Sequence, residues 1–279
     1  LDKIIEAPGE GGAHVKCILC KRLGWLSYVD SRWTRETVLP WFEIDNANEN
    51  AEAAWNGYLS SPNLPPQWAG WKIKPSFIKL FSVYEDWGWG EHIKGVVAQL
   101  VVVLATFRKQ HPDGLSPREA RACLRQMSEQ GRASAVRHLC AIGNANEDGW
   151  IKYVVPFVEG VWPKEKRFRT SFMSSAWMGL LGDSGDNFLD VFPVVLKNLV
   201  PINSNDYWLY RFHSKIDSDD SLVIKYPVQV LEMLNATIMD GADNLPYEIH
   251  EILEVIERSC PELSSDSRFF RLQELIENV

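Results

Sequence analysis

Three residues near the start of the chain have the types and spacing of a metal half-site. His14, Cys17 and Cys20 stand as His-x2-Cys-x2-Cys, and imidazole and thiolate are the ligands that hold zinc tetrahedrally. A closed site needs a second pair. Cys123, Cys140 and Cys260 are isolated, and no second Cys-x2-Cys or His-x3–5-His follows. The motif also sits in "AHVKCILCKRLGWL", which reads as helix and not as a tight knuckle. We expect packed helix cysteines, with a metal on His14, Cys17 and Cys20 or a redox Cys-x2-Cys as the alternatives. Five cysteines in 279 residues do not imply a disulfide framework; they fit a reducing, cytoplasmic setting.

The other candidate chemistries are incomplete in the same way. His92, His111, His138, His213 and His250 form no HExxH and have no nucleophile elbow beside them. His138 and Cys140 are close in sequence, but residues two apart on a helix do not face each other. His250, between Glu248 and Glu251, reads as a surface histidine. The acidic runs "DSGDN" (183–187) and "DSDDS" (217–221) lack the alternating ligands and distal Glu of a calcium loop. They read as helix-capping turns, because Asp and Ser accept from free backbone N–H groups. No Gly-rich phosphate loop is present. A carboxylate pair for glycoside hydrolysis is set by space and not by spacing, so it stays open. We therefore expect no cofactor and no catalytic residue.

One basic stretch stands out. In "KEKRFR", Lys164, Lys166, Arg167 and Arg169 surround Phe168, and Arg118, Arg121, Arg125, Arg132 and Arg137 precede it. These read as a solvated face or as a local patch for phosphate or an acidic partner. The formal net charge of −8 speaks against a broad grip on nucleic acid.

The elements that must position these residues are helices. Phe188, Val191, Phe192, Val195 and Leu199 follow a helical stripe, as do Ile249, Ile252, Leu253 and Ile256, and Val228, Leu231, Leu234 and Ile238. "SPRE" at 116–119 is a capping box with Pro117 in the first turn, and Pro246 can open the helix carrying Ile249. Breakers at 7–12, 60–66, 111–114, 182–187 and 240–246 cut the chain into about a dozen helices of roughly 10–18 residues. The apolar run Ile93 to Phe107 is too short for a span of about 20 residues and reads as a buried core helix. No leader segment is visible, and no membrane association is expected. The chain begins at Leu1 and not Met, as the C-terminal part of a longer protein would.

A diverged repeat is also legible. "EAAWNGYLS" (52–60) and "SSAWMGLLG" (174–182) share Ala-Trp-x-Gly. Upstream of each lies a Trp and then apolar-Pro-aromatic-apolar-Glu: Trp33 with Pro40, and Trp150 with Pro156. Two units, about 33–85 and 150–200, thus share an order of features. The physical reading is a helix pair in which Gly57 and Gly179 permit close approach while Trp55 and Trp177 fill the gap. Such pairs stack into a HEAT-like α-solenoid, an α-α superhelix, here taken as a single domain over 1–279. The 12 tryptophans are then packing residues.

The stretches "LGWLSYVDSRWTRETVLPWF", "AAWNGYLSSP", "WIKYVVPFVEGVWP", "SSAWMGLLGDSGDNFLDVFPVVLKNLVPI" and "LPYEIHEILEVIERSCPEL" resemble the helical C-terminal region of large bacterial sirtuin-like proteins, some of them antiphage defence proteins. The resemblance implies that NAD is degraded by an N-terminal domain outside this chain. It also implies that the helical region senses a phage component or contacts neighbouring subunits, and it carries over no catalytic residue. The expectation is a non-catalytic helical-repeat interaction module whose partner is a protein, a phage component or a second copy. The rivals are a carbohydrate-active α/α-toroid enzyme that stacks sugars on Trp, and a nucleic-acid-binding repeat that uses the Arg/Lys patches.

Overall fold

The structure is a computed structural model describing residues 5, 9–45, 50–61, 73–108, 111–203, 208–241 and 245–278. Among the described residues every regular element is a helix and no strand occurs. The chain is all-α, as the apolar periodicity predicts. It divides into two compact units, Leu1–Ala135 and Val136–Val279. The breakers at 62–66 and 242–244 lie outside the described residues. Helices run from 3 to 17 residues, so several are shorter than the periodicity suggests.

The first unit opens with α1 (Glu10–Lys21) and α2 (Leu23–Val29). One short turn, Ser31–Trp33, runs into a π-helical turn at Thr34–Val38 and a 3-10 turn at Leu39–Phe42. Then come α3 (Ala51–Leu59), α4 (Ile73–Leu80), α5 (Glu91–Thr106), α6 (Pro117–Gln126) and the start of α7 (Glu129–Ala145), within which the unit boundary falls. The core is aromatic. Trp55 packs edge-on against Phe42 at 5.1 Å, and the chain of rings continues through Phe77, Phe81 and Tyr84. Each such side chain contributes roughly 1.5–3 kcal/mol by leaving water. The run at 93–107 forms α5, which buries Val97, Val101, Val102 and Leu104 completely.

Polar ties fix the ends. Ser116 and Glu119 make the expected capping box at α6. Lys74 donates to the Gly114 carbonyl at 2.7 Å and pairs with Glu119 at 3.0 Å, joining α4 to the start of α6. Glu85 accepts from the Ser128 backbone N–H at 3.0 Å and from Lys94 at 2.9 Å. Burial alone would raise the Glu85 carboxyl, but the nearby Tyr84 hydroxyl and the hydrogen bonds from Ser128 and Lys94 outweigh it and hold the pKa at about 2.

The second unit takes the rest of α7, a second π-helical turn at Trp150–Val154, and α8 (Val155–Gly160). After a 3-10 turn at Lys166–Phe168 come α9 (Ser171–Gly182), α10 (Phe188–Leu196) and α11 (Tyr210–His213). The unit ends with α12 (Leu222–Lys225), α13 (Pro227–Thr237), α14 (Ile249–Ser259) and α15 (Ser267–Glu277). The stripes on α10 and α14 are buried. The α13 stripe is shifted: Val228 is 42% exposed, while Val230, Leu231, Met233 and Leu234 face the core. Pro193 lies inside α10 and not at a helix start. Pro246 stands ahead of the cap of α14, accepting from the Ile249 N–H. Arg271 on α15 binds Asp240 and Asn235 at 2.7 and 2.9 Å, fastening α15 to the end of α13.

Candidate functional site

His14, Cys17 and Cys20 all lie on α1. His14 is exposed, Cys17 half-buried and Cys20 buried, so the three stand in different environments. Burial pushes the Cys20 thiol well above its ordinary pKa and raises that of Cys17, which disfavours the thiolates a metal needs. Among the described residues no group of three His, Cys, Asp or Glu side chains could hold a metal ion.

The repeated tryptophans are core. Trp55 and Trp177 are fully buried, Trp55 donates its indole N–H to the Phe42 carbonyl at 3.1 Å, and Trp177 packs edge-on against Trp162 at 4.7 Å. The glycines differ. A Cβ on Gly57 would lie 2.0 Å from the Cys17 carbonyl oxygen, so α1 and α3 meet backbone to backbone there. At Gly179 the nearest atom is Arg211 Nε at 3.9 Å, which is ordinary contact. The close-approach role expected of Gly179 is therefore corrected: its pair in sequence is not its pair in packing. Pro40 and Pro156 are both exposed and follow the two π turns. Trp33 is half-buried, whereas Trp150 is buried flat on Gly143, where a Cβ would come within 2.6 Å of the indole. Counted back from the prolines, Trp150 corresponds to the buried Thr34 and not to Trp33.

The acidic runs divide. Ser221 accepts from the Ile224 N–H and caps α12 as expected. In the other run no side chain caps α10; Asp183 instead receives the Cys140 thiol at 3.1 Å and the Arg211 guanidinium. His250 is a surface residue beside Glu254, and His213 Nε2 meets Glu251 at 2.5 Å. Asp113 is 1% exposed, with His111 Nδ1 at 3.1 Å and Arg108 at 3.8 Å from its carboxylate. Burial raises its pKa, and the His111 and Arg108 charges pull the other way.

The basic stretch lines a cavity. Lys166 and Arg167 are exposed on their 3-10 turn, with Arg167 over the Phe168 ring at 4.7 Å. Lys164 and Arg169 instead turn to a cavity of about 400 Å³ that they share with Glu159, Val194, Lys197 and Asn198. The Lys164 ammonium donates to the Val158 carbonyl at 2.6 Å, and Arg169 donates to the Lys164 carbonyl at 3.3 Å. Asn198 is buried and donates to the Val194 carbonyl at 2.8 Å, closing the end of α10. Sequence reasoning missed Lys197 and Asn198: in "LKNLVPI" they look like any polar pair at a helix end, and only the return of the chain brings them to Lys164 and Arg169. Glu159 ends the apolar-Pro-aromatic-apolar-Glu run, and its type and spacing there point to no site.

No family model, no curated protein and no solved structure matches this chain.

Proposed function

We propose that the chain is a helical interaction module that binds a protein partner. The observation that carries this reading is the division of aromatic residues. The repeated tryptophans are used up in packing, while Trp25 and Tyr28, neighbours three apart on α2, stand 62% and 90% exposed. Val29, next to Tyr28 on α2, is exposed as well. Apolar residues gathered at one surface are the usual mark of a contact site, and Trp and Tyr are the usual anchors. The burial of Trp55, Trp150 and Trp177 also removes them as sugar-stacking platforms, which weakens the toroid-enzyme rival. The net charge weighs against the nucleic-acid rival.

The finer reading, a HEAT-like solenoid serving as the sensor or assembly region of an antiphage defence protein, rests on the repeat and on the resemblance to sirtuin-associated helical regions. Among the described residues no helix is long and apolar enough to cross a membrane. The test is a photo-crosslinking residue placed at Tyr28, with a control at the exposed Leu189 on α10, in cells carrying the full-length gene and challenged with phage. A protein adduct specific to position 28 is expected, and the Trp25→Ser/Tyr28→Ser variant should lose protection. Adducts equal at both positions, or full protection by the variant, would count against the reading. An adduct to a second copy would assign the surface to self-association.

A further inference from the structure

We propose that the cavity between residues 159–169 and the end of α10 binds the phosphate group of a small phosphorylated ligand of mononucleotide size. Among the described residues that line it, Lys164, Arg169 and Lys197 are cations and Glu159 is the carboxylate. That surplus of positive charge stands in a chain whose net charge is −8. Cations that line one cavity repel one another, and a bound dianion relieves that repulsion.

Arg169 and Lys197 are also partly unspent. Lys197 is exposed and forms no ion pair among the described residues. Arg169 uses one terminal nitrogen on the Lys164 carbonyl, while its Nε is buried without an acceptor among the described residues. A planar guanidinium with donors to spare suits a phosphate's several oxygens. Lys164 is anchored by the Val158 carbonyl, so its charge is held in place before any ligand arrives.

Two features oppose an anion: Glu159, and the carbonyl end of α10, which carries partial negative charge. Among the described lining residues Arg169 and Lys197 already outnumber the carboxylate, and Lys164 adds to them. The volume of about 400 Å³ exceeds what a bare phosphate needs and falls at the lower end of small-ligand pockets. Glu159 then serves as acceptor for a hydroxyl or amine on the rest of the ligand. The proposal goes beyond the interaction reading and does not depend on it.

The experiment is calorimetric titration with inorganic phosphate, adenosine monophosphate and adenosine. Adenosine monophosphate is expected to bind more tightly than phosphate, and adenosine not at all. Lys197→Ala should weaken both anions about tenfold, the loss of one charge-assisted contact. Glu159→Gln should tighten inorganic phosphate by about threefold, because it removes the opposing charge and keeps the shape. Both side chains are exposed, and thermal melts will show whether each variant is folded. No binding of either anion at millimolar concentration would overturn the proposal. So would binding that both substitutions leave unchanged. Lys197-dependent binding of a hexaglutamate peptide without binding of adenosine monophosphate would overturn it too, in favour of an acidic-peptide groove.

Discussion

Thr34–Val38 and Trp150–Val154 are the same wide turn, each ending two residues before a proline. In the first the Leu39 N–H reaches back to the Thr34 carbonyl, and in the second the Val155 N–H reaches back to Trp150. A proline has no N–H, and its ring collides with the carbonyl four residues earlier in a regular α-helix. Widening the preceding turn moves that carbonyl aside. Each turn is followed by a helix bearing a fully buried Trp, Trp55 or Trp177. Beyond that point the two regions part. Trp55 sits in a helix pressed against the α1 backbone at Gly57, whereas Gly179 has room beside it. The proline-π-turn-Trp arrangement is thus the shared local device, and each unit surrounds it with different neighbours.

The largest effects test the shared part. Trp55→Ala and Trp177→Ala should each cost about 3–5 kcal/mol in urea unfolding, because each empties a fully buried ring site. A loss near zero at either position would break the equivalence. Next comes the point of difference. Gly57→Ala should cost about 3 kcal/mol, since its Cβ would meet rigid backbone and not a movable side chain. Gly179→Ala should instead stabilise by about 0.5–1 kcal/mol, the gain of Ala over Gly inside a helix. Equal effects at the two glycines would erase the contrast.

Smaller effects concern the turns and the charges. Pro40→Ala and Pro156→Ala should each cost about 0.4–1 kcal/mol through greater freedom of the unfolded chain. Amide exchange at Leu39 and Val155 will show whether the wide turns persist without the ring. Among the described residues each unit also holds a carboxylate at about 2: Glu85 in the first, and Asp266 in the second through its bidentate pair with Arg268. Their folded pKa values lie below the ordinary 4.5 and 3.8. Their contribution is therefore complete above those ordinary values and is lost as pH falls towards 2. Glu85→Gln should flatten the acid dependence of amide exchange in the first unit only, and Asp266→Asn in the second only. Acid profiles unchanged by either substitution would mean these pairs are not what the units lose in acid.

Much of the local structure was legible in the residues. The α6 capping box, the buried α5 and the stripes of α10 and α14 follow from periodicity and from the backbone groups a helix end leaves unpaired. The order Trp, Pro, Trp, Gly occurs in both units, but Trp33 does not stand where Trp150 does and Gly179 does not pack as Gly57 does. The proline-facing π turns were not legible, because they reflect a steric clash along the helix and not a residue preference. Of the candidate site, Lys164 and Arg169 were visible as part of a basic stretch. Their division from Lys166 and Arg167 was not, since neighbouring residues on a turn point in different directions.

By itself, then, the sequence determined the all-helical class, the α6 capping box and the large apolar residues of the core, because these depend on spacing along one element. The tertiary structure alone decided that Gly57 is jammed while Gly179 is free, and that Glu159 and Lys197 share a cavity with Lys164 and Arg169. Those are contacts between elements far apart in the chain, and spacing within an element carries no record of what another element will bring beside it.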